Sequence, residues 1–232
     1  MVFLQCEVDR NQSLEEVAFV SKLATNEPRI EGIVAFAPLE NGNAAKEHLA
    51  KLKENRLVKG VRRLIQSEDD GFCLNPEFVK GVKLLPDFGF SFDICINHTQ
   101  LADTIGMVRQ CPDVSFVLDH VGKPDIKSHK TEPWKKELLE LATLKNVHCK
   151  LSGLITEADH ETWTPEDLAP YLAHAIESFG FDRLMFGGDW PVATLAGTWQ
   201  GWHAALSNHL ATCAEQEQRK VFHDNAIKFY RL

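Results

Sequence analysis

Strand-like segments alternate with helical segments along the whole chain, and this alternation restricts the fold more than any other feature. Runs rich in apolar and β-branched residues predict seven strands, at Met1–Val8, Ile30–Phe36, Val58–Ile65, Phe90–Asn97, Val114–His120, Val147–Leu151 and Leu184–Phe186. Segments with apolar residues at helical spacing separate these runs. Such alternation predicts a parallel sheet with right-handed crossover connections.

The number of predicted strands is one short of a closed barrel. A TIM barrel closes with eight parallel strands, and the first predicted strand begins at Met1 itself. We therefore predict an α/β fold, a (β/α)8 TIM barrel lacking its first strand and helix, with residues 1–232 as a single, N-terminally truncated domain. The alternative, a doubly wound open sheet, is disfavoured because the first turn has no glycine-rich phosphate loop. Two open sheet edges would favour association, which predicts a homo-oligomer.

The composition excludes several classes of protein. The formal net charge of −8 and the scattered basic residues argue against a nucleic-acid surface. No apolar run is long enough to span a bilayer, so we expect no membrane partner. The N-terminus has no basic segment or cleavage site typical of a signal peptide. The six cysteines form no Cys-x-x-Cys pair, which indicates a reduced, cytoplasmic protein and disfavours a zinc-thiolate site.

Polar side chains follow five of the predicted strands at or just beyond their ends. They are Arg62, His98, His120, Ser152 and Asp189. In a barrel the carboxyl ends of the strands surround one pocket, so we expect these side chains to converge there. Each also has a structural explanation: a surface arginine, a helix cap, a core histidine, a turn serine and a second helix cap.

The strongest of these positions is the end of the last strand. Leu184–Phe186 runs into Gly187 and Gly188, and the acid Asp189 and the aromatic Trp190 follow at once. Glycine permits a tight turn and a close approach of the backbone to a ligand. We therefore predict that Asp189 faces the pocket and that Trp190 forms an apolar wall for the substrate.

The pair Asp119-His120 closes the fifth predicted strand. Adjacent residues of a strand point to opposite faces, so we do not expect these two side chains to meet. A histidine and an aspartate on different strand ends, without a nucleophile elbow at Ser152, suit hydrolysis by activated water. Asp189 would take a proton from water or hold a metal, and His120 would polarise or protonate a carbonyl oxygen. Arg62 would bind an anionic or hydroxyl-rich substrate.

Several spaced motifs together resemble one known family. The residues are Phe-Val-Leu-Asp-His-Val-Gly-Lys-Pro at 116–124, Cys-Lys-Leu-Ser-Gly-Leu at 149–154 and Met-Phe-Gly-Gly-Asp-Trp-Pro-Val at 185–192. In this order they resemble the amidohydrolase-related (amidohydrolase 2) superfamily, and most of all its sugar-lactonase branch of L-fuconolactonases and L-rhamnonolactonases. The resemblance runs from about Met1 to the end of the chain.

The resemblance implies a barrel of the metal-dependent hydrolase type that opens a sugar lactone with a water nucleophile. It implies catalytic roles for His120 and Asp189, which are also the candidate metal ligands, and substrate binding by Arg62, with a looser match at His98. A divalent metal such as zinc is the implied cofactor, and no nucleotide cofactor is expected. The family opens with a His-x-His strand that this sequence lacks, so we expect no tightly bound zinc.

Two other functions remain open at this level. The absent first strand allows an inactive barrel, or one that binds a sugar acid or lactone without turnover. Decarboxylases share the superfamily, so a metal-dependent carboxy-lyase is a further alternative. The Gly-Gly-Asp-Trp-Pro-Val and Leu-Ser-Gly-Leu segments favour the lactonase.

Overall fold

The computed structural model describes all residues from Met1 to Leu232. Seven parallel strands form one sheet in sequential order. The strands are β1 Val2–Leu4, β2 Gly32–Ala35, β3 Val58–Arg62, β4 Ser91–Ile94, β5 Phe116–Leu118, β6 Val147–Leu151 and β7 Leu184–Phe186. The predicted number, order and direction of the strands are confirmed.

Helices lie between the strands and beyond the last one. They are α1 Ser13–Ala24, α2 Ala45–Lys53, α3 Pro76–Lys83, α4 Leu85–Phe88, α5 Leu101–Gln110, α6 Trp134–Ala142, α7 Leu154–Glu157, α8 Pro165–Phe179, α9 Trp199–His209, α10 Glu215–Arg219 and α11 Asn225–Tyr230. A π-helical turn, Lys220–Asp224, separates α10 from α11. The apolar spacing of Glu215–Tyr230 predicts one helix there, so this helix is interrupted in the structure. None of the helices combines the length and the apolar character needed to cross a membrane.

The sheet is curled, as the packing of its inner face shows. Val34 of β2, Val117 of β5 and Met185 of β7 belong to one buried cluster. In a flat sheet β2 and β7 would lie about 24 Å apart, so these side chains meet only because the sheet bends into most of a barrel. The alternate residues of the strands, such as Ile33 and Phe116, face outward into a larger cluster beneath the helices.

No hydrogen-bonded ladder joins β1 to β7, so the barrel is open at one seam. The C-terminal tail contributes to the inner cluster instead: Phe229 and Tyr230 are buried there. The guanidinium of Arg231 donates to the carbonyl oxygens of Lys59 and Gly89, at 2.7 and 2.8 Å. The tail therefore crosses the end of the barrel where β3 and β4 begin.

The first strand is shorter than the predicted Met1–Val8. Pairing with β2 ends at Leu4, with one further bond from the Gln5 N–H to the Val34 carbonyl. Glu7 then adopts a left-handed backbone conformation with φ of 57°. A residue with positive φ cannot continue a strand, which explains the early end.

Candidate functional site

The carboxyl ends of β3 to β7 carry a cluster of polar side chains, as expected for a barrel. Its centre is the pair His120 and Asp189, whose side chains are 12% and 11% exposed. The distance from His120 Nε2 to Asp189 Oδ1 is 3.6 Å, longer than a hydrogen bond. The two atoms are too close for an oxygen atom to lie on the line between them, but an oxygen of water or of a substrate beside the pair can bond to both.

His120 is fixed in orientation by Ser152. The Ser152 hydroxyl lies 2.9 Å from His120 Nδ1. When the hydroxyl donates this bond, the neutral imidazole carries its proton on Nε2, the atom that faces Asp189. Ser152 follows β6 directly and is buried, so it orients the histidine from beneath. Its predicted place at a strand end beside the site is observed, although we had assigned it no role.

Three glycines allow this close packing. A Cβ atom at Gly153 would lie 2.6 Å from His120 Nδ1, and one at Gly187 would lie 2.7 Å from the Ser152 Cβ. A Cβ at Gly188 would meet the Trp199 indole nitrogen at 2.5 Å. We expected the backbone at Gly187 and Gly188 to approach a ligand closely, but it approaches the side chains of Ser152 and Trp199 instead. Neither glycine has positive φ.

A left-handed turn carries His120 into the site. Four consecutive residues have positive φ: His120 at 55°, Val121 at 53°, Gly122 at 72° and Lys123 at 51°. This conformation costs about 1–2 kcal/mol for each residue other than glycine. The Lys123 N–H closes the turn on the His120 carbonyl at 2.8 Å. Strained backbone of this kind is concentrated at functional sites.

Two contacts from outside hold this turn. The Trp134 indole N–H donates to the Val121 carbonyl at 2.8 Å, and His98 Nδ1 lies 3.0 Å from the Lys123 carbonyl. His98 is thus placed beside the turn that carries His120. Asp189 itself also has positive φ, at 49°. Both central residues therefore stand on backbone that only the surrounding contacts stabilise.

The turn places Asp119 and His120 near each other without a direct bond. Donor atoms of Asp119, His120 and Cys95 lie within 4.8 Å of one another. As predicted, no hydrogen bond or ion pair joins Asp119 to His120. The two residues are nevertheless closer than strand alternation would place them, because β5 ends at Leu118 and alternation no longer applies beyond it.

Below the site lies a buried network of charges that the sequence analysis missed. Lys150 Nζ lies 2.5 Å from Asp93 Oδ2 and 2.7 Å from Asp119 Oδ1. The Tyr230 hydroxyl donates to Asp93 Oδ2 at 2.6 Å. A lysine in β6 and an aspartate in β4, each inside a largely apolar run, were the available signals. Both face the interior of the curled sheet, where they meet across β5.

Arg62 belongs to the same network. Its Nη1 lies 3.0 Å from Asp119 Oδ2, and its Nη2 donates to the Gln5 carbonyl. The side chain is 12% exposed, and its Nε has no protein partner. The predicted strand-end position is observed, and both terminal nitrogens of the guanidinium are already occupied by the protein.

Burial and charge shift the pKa of each central group. Burial lowers the pKa of His120 more than Asp189 and Asp119 raise it, so the imidazole is neutral at neutral pH. Burial raises the pKa of Asp189 against the opposing effect of His120, which makes this carboxylate a stronger base than an exposed one. At Asp119 burial is outweighed by Lys150 and Arg62, which hold its pKa well below the ordinary value.

Cys95, Asp119 and His120 are residue types that bind metals, so their fit to a metal ion can be tested. Both oxygens of Asp119 are held by cations, Lys150 and Arg62. Burial raises the pKa of the Cys95 thiol to about 12, so without a bound ion this group is a neutral thiol. These three groups therefore do not fit a tightly held zinc. The donor atoms left open are His120 Nε2 and Asp189 Oδ1, two of the four that zinc prefers.

Trp190 lies at the rim of the site and is 70% exposed. The nearby Leu195 and Val192 are also exposed, at 65% and 49%. Trp190 is next to Asp189, so its ring is within reach of a ligand bound at the His120–Asp189 pair. Its role as an apolar wall stays a prediction.

Comparison with known proteins gives consistent results. The sequence model of the family described as Amidohydrolase matches residues 11–232. An L-fucono-1,5-lactonase of Burkholderia ambifaria is 30% identical over 225 residues, covering 94% of this chain and 76% of that protein. An L-rhamnono-gamma-lactonase of Scheffersomyces stipitis is 27% identical over 233 residues, covering 88% and 69%.

A solved structure agrees with the fold and with the sequence resemblance. The crystal structure of an amidohydrolase from Burkholderia multivorans with bound zinc superimposes with a TM-score of 0.90 at 30% identity. It covers 100% of this chain, which spans 82% of that protein. The predicted barrel fold, short of one strand, is confirmed.

Proposed function

Because the chain belongs to the amidohydrolase family, we propose that it hydrolyses a sugar lactone by attack of a water molecule bound beside the His120–Asp189 pair. The observation that carries this proposal is the 3.6 Å separation of His120 Nε2 and Asp189 Oδ1, which lets one oxygen atom at the side of the pair lie within hydrogen-bonding distance of both. The names of the curated relatives support the substrate class, an aldonolactone. Water is the nucleophile, so no side chain needs to attack the lactone.

The proposed reaction follows from the states of the two groups. The Asp189 carboxylate accepts a proton from water as the water oxygen bonds to the lactone carbonyl carbon. The Nε2 proton of His120 stabilises the negative charge that develops on the carbonyl oxygen. The ring C–O bond then breaks, and the ring oxygen takes the proton that Asp189 holds. The products are a hydroxyl group and a carboxylic acid on the same molecule, and the acid releases its proton to the solvent to become a carboxylate.

Arg62, His98 and Trp190 are the proposed substrate-binding residues. The Arg62 guanidinium donates to the Asp119 carboxylate below the site, so its positive charge lies close to a bound substrate. His98 contacts the turn that carries His120. Trp190 offers its exposed ring to the carbon skeleton of the sugar. Of the three, Trp190 has the side chain with the fewest existing contacts.

A divalent metal such as zinc would be held by His120 Nε2 and Asp189 Oδ1, the two open donor atoms. When bound, it would supply charge to polarise the carbonyl group. Two protein ligands give weak, exchangeable binding. We predict that protein loaded with zinc and then dialysed against buffer retains much less than one equivalent by elemental analysis. If one equivalent of zinc survives dialysis, the conclusion that Asp119 cannot bind the metal, because Lys150 and Arg62 hold both its oxygens, is wrong.

The test of the proposed function is lactone hydrolysis followed with a pH indicator. L-fucono-, L-rhamnono- and D-arabinono-lactones form the first panel. We expect activity above the spontaneous rate, and a fall in kcat/KM on the order of 100- to 10,000-fold in Asp189→Asn, which loses the base. Asp182→Asn, which changes a surface carboxylate that is 82% exposed, is the control. Absence of hydrolysis of every lactone by the wild-type chain would overturn the proposal.

A further inference from the structure

A second cation stands beside the His120–Asp189 pair, on the left-handed turn described above. Lys123 is the last residue of that turn, and its N–H bond to the His120 carbonyl fixes the spacing of the two residues. The Lys123 ammonium donates to the Gln66 amide oxygen, which also accepts from the Cys95 thiol at 3.4 Å, and the Cys95 sulfur lies within 4.8 Å of a ring nitrogen of His120. The charge of Lys123 also acts to lower the pKa of both His120 and Asp189. The strained turn thus presents two functional groups to the site, not one.

Lys123 is partly buried as a residue, and its ammonium group lies within 4 Å of no carboxylate oxygen. Its one side-chain partner is the amide oxygen of Gln66, a neutral group. An ammonium has three donors, so two remain available. The other cations near the site are already paired with carboxylates: Lys150 with Asp93 and Asp119, and Arg62 with Asp119.

The next lysines of the same segment behave differently. Lys127 and Lys130 are 68% and 70% exposed, and they lie 3.3 and 3.7 Å from Asp159 and Asp125. Lys123 lacks the carboxylate partner that each of these two lysines has, and an anionic ligand at the site would supply one. The turn therefore holds an unpaired ammonium group near the two groups that the reaction needs.

We propose that Lys123 is a substrate-binding residue that donates to the oxygen on which negative charge develops during lactone opening and remains in the product carboxylate. This inference rests on the proposed function. Lys123 exchanges its bond to the Gln66 amide oxygen for the ligand oxygen, and it shares that oxygen with His120 Nε2. A cation selects the anionic product and the charged intermediate over the neutral lactone.

Three variants test this role. Lys123→Met removes the charge and keeps most of the apolar stem, Lys123→Arg keeps the charge, and Lys127→Met is the matched control on the same segment. We expect Lys123→Met to lower kcat/KM on the order of 100-fold, as for the loss of one oxyanion donor. The fall should lie mainly in kcat, because the neutral lactone gains little from the cation. Lys123→Arg should recover part of it, and Lys127→Met should match the wild type.

Calorimetric titration with the corresponding aldonate, the hydrolysis product, gives a readout that does not need turnover. We expect Lys123→Met to weaken aldonate binding at least 10-fold, while its thermal midpoint stays close to that of the wild type. Unchanged aldonate affinity in Lys123→Met would overturn the inference. So would a loss that the arginine variant does not recover and that accompanies a lower thermal midpoint. If the wild type hydrolyses no lactone, the proposed function fails, and aldonate binding still decides the role of Lys123.

Discussion

At the residue scale, the orientation of His120 depends on the absence of a side chain at Gly153. Gly153 has a φ of 64°, and a Cβ there would lie 2.6 Å from His120 Nδ1, where the Ser152 hydroxyl now bonds. We expect Gly153→Ala to displace the imidazole and to lower kcat/KM of lactone hydrolysis at least 10-fold. Its backbone strain should also reduce the free energy of unfolding by about 1 kcal/mol.

Gly71→Ala is the matched control for this change. Gly71 is left-handed like Gly153, with φ of 81° and ψ of -6°, and no atom lies within 4 Å of a Cβ built there. It should show the same backbone strain in chemical denaturation and keep its activity. Equal activity in the two variants would mean that Gly153 matters for backbone conformation alone.

The pH dependence of activity belongs to the same scale. The proposed mechanism needs Asp189 ionised, and burial raises its pKa above the ordinary value of about 3.9. Activity should therefore fall as the pH drops through this raised value, so the acid limb of kcat/KM lies above pH ~4. Asp189→Asn should abolish this limb in its residual activity. A limb at or below pH ~4 would assign the titration to an unperturbed carboxyl group.

Much of the site at residue resolution could be predicted from the sequence, because strand ends are visible as apolar runs that stop at polar residues. Arg62, His120, Ser152 and Asp189 were found in this way. The left-handed turn was not predictable, since Val121 is a residue type that rarely adopts positive φ. The short distance between Asp119 and His120, and the proposed role of Lys123, depend on that turn.

At the scale of elements, β4, β5 and β6 are joined through their inward side chains as well as their backbones. Lys150 on β6 is 7% exposed and pairs with Asp93 and Asp119, whose side chains are fully buried. We expect Lys150→Met to destabilise the fold by about 3–5 kcal/mol, because Asp93 is left buried without a cation and Asp119 keeps only Arg62. Urea denaturation measures this loss.

Lys145→Met, at an exposed position just before β6, is the control and should change the stability by less than about 0.5 kcal/mol. A small loss in Lys150→Met would indicate that the two carboxyl groups share a proton when the lysine is absent.

Sequence patterns revealed the strands, but they gave no partner for Lys150, because 57 residues separate it from Asp93. Only the sheet order brings the two together.

At the scale of the whole molecule, the unpaired edges of β1 and β7 are the main departure from a closed barrel. The Gln5 N–H bonds to β2, so by strand alternation the Leu4 N–H points to the open side. Open edges favour strand pairing between chains. We predict concentration-dependent association by sedimentation velocity, and weaker association in Leu4→Pro, which removes the open donor.

Leu4→Ala is the matched control, because it loses the same side chain and keeps the N–H group. It should associate more strongly than Leu4→Pro. A monomer at every concentration would contradict the predicted homo-oligomer.

The seven strands and the open barrel were predictable from periodicity, whereas the course of the C-terminal tail was not, since its pattern indicated only one continuous helix.

The bond from the Tyr230 hydroxyl to Asp93 has a consequence for the order in which the molecule assembles. Every strand pairs with the strand before it, so the sheet can grow step by step along the chain. Tyr230 and Asp93 are 137 residues apart, and closing so long a loop is slow compared with these local steps. The charge network beneath the His120–Asp189 pair therefore stays incomplete until the last residues arrive, and lactone hydrolysis, if it is carried by this pair as proposed, should appear after the sheet has formed.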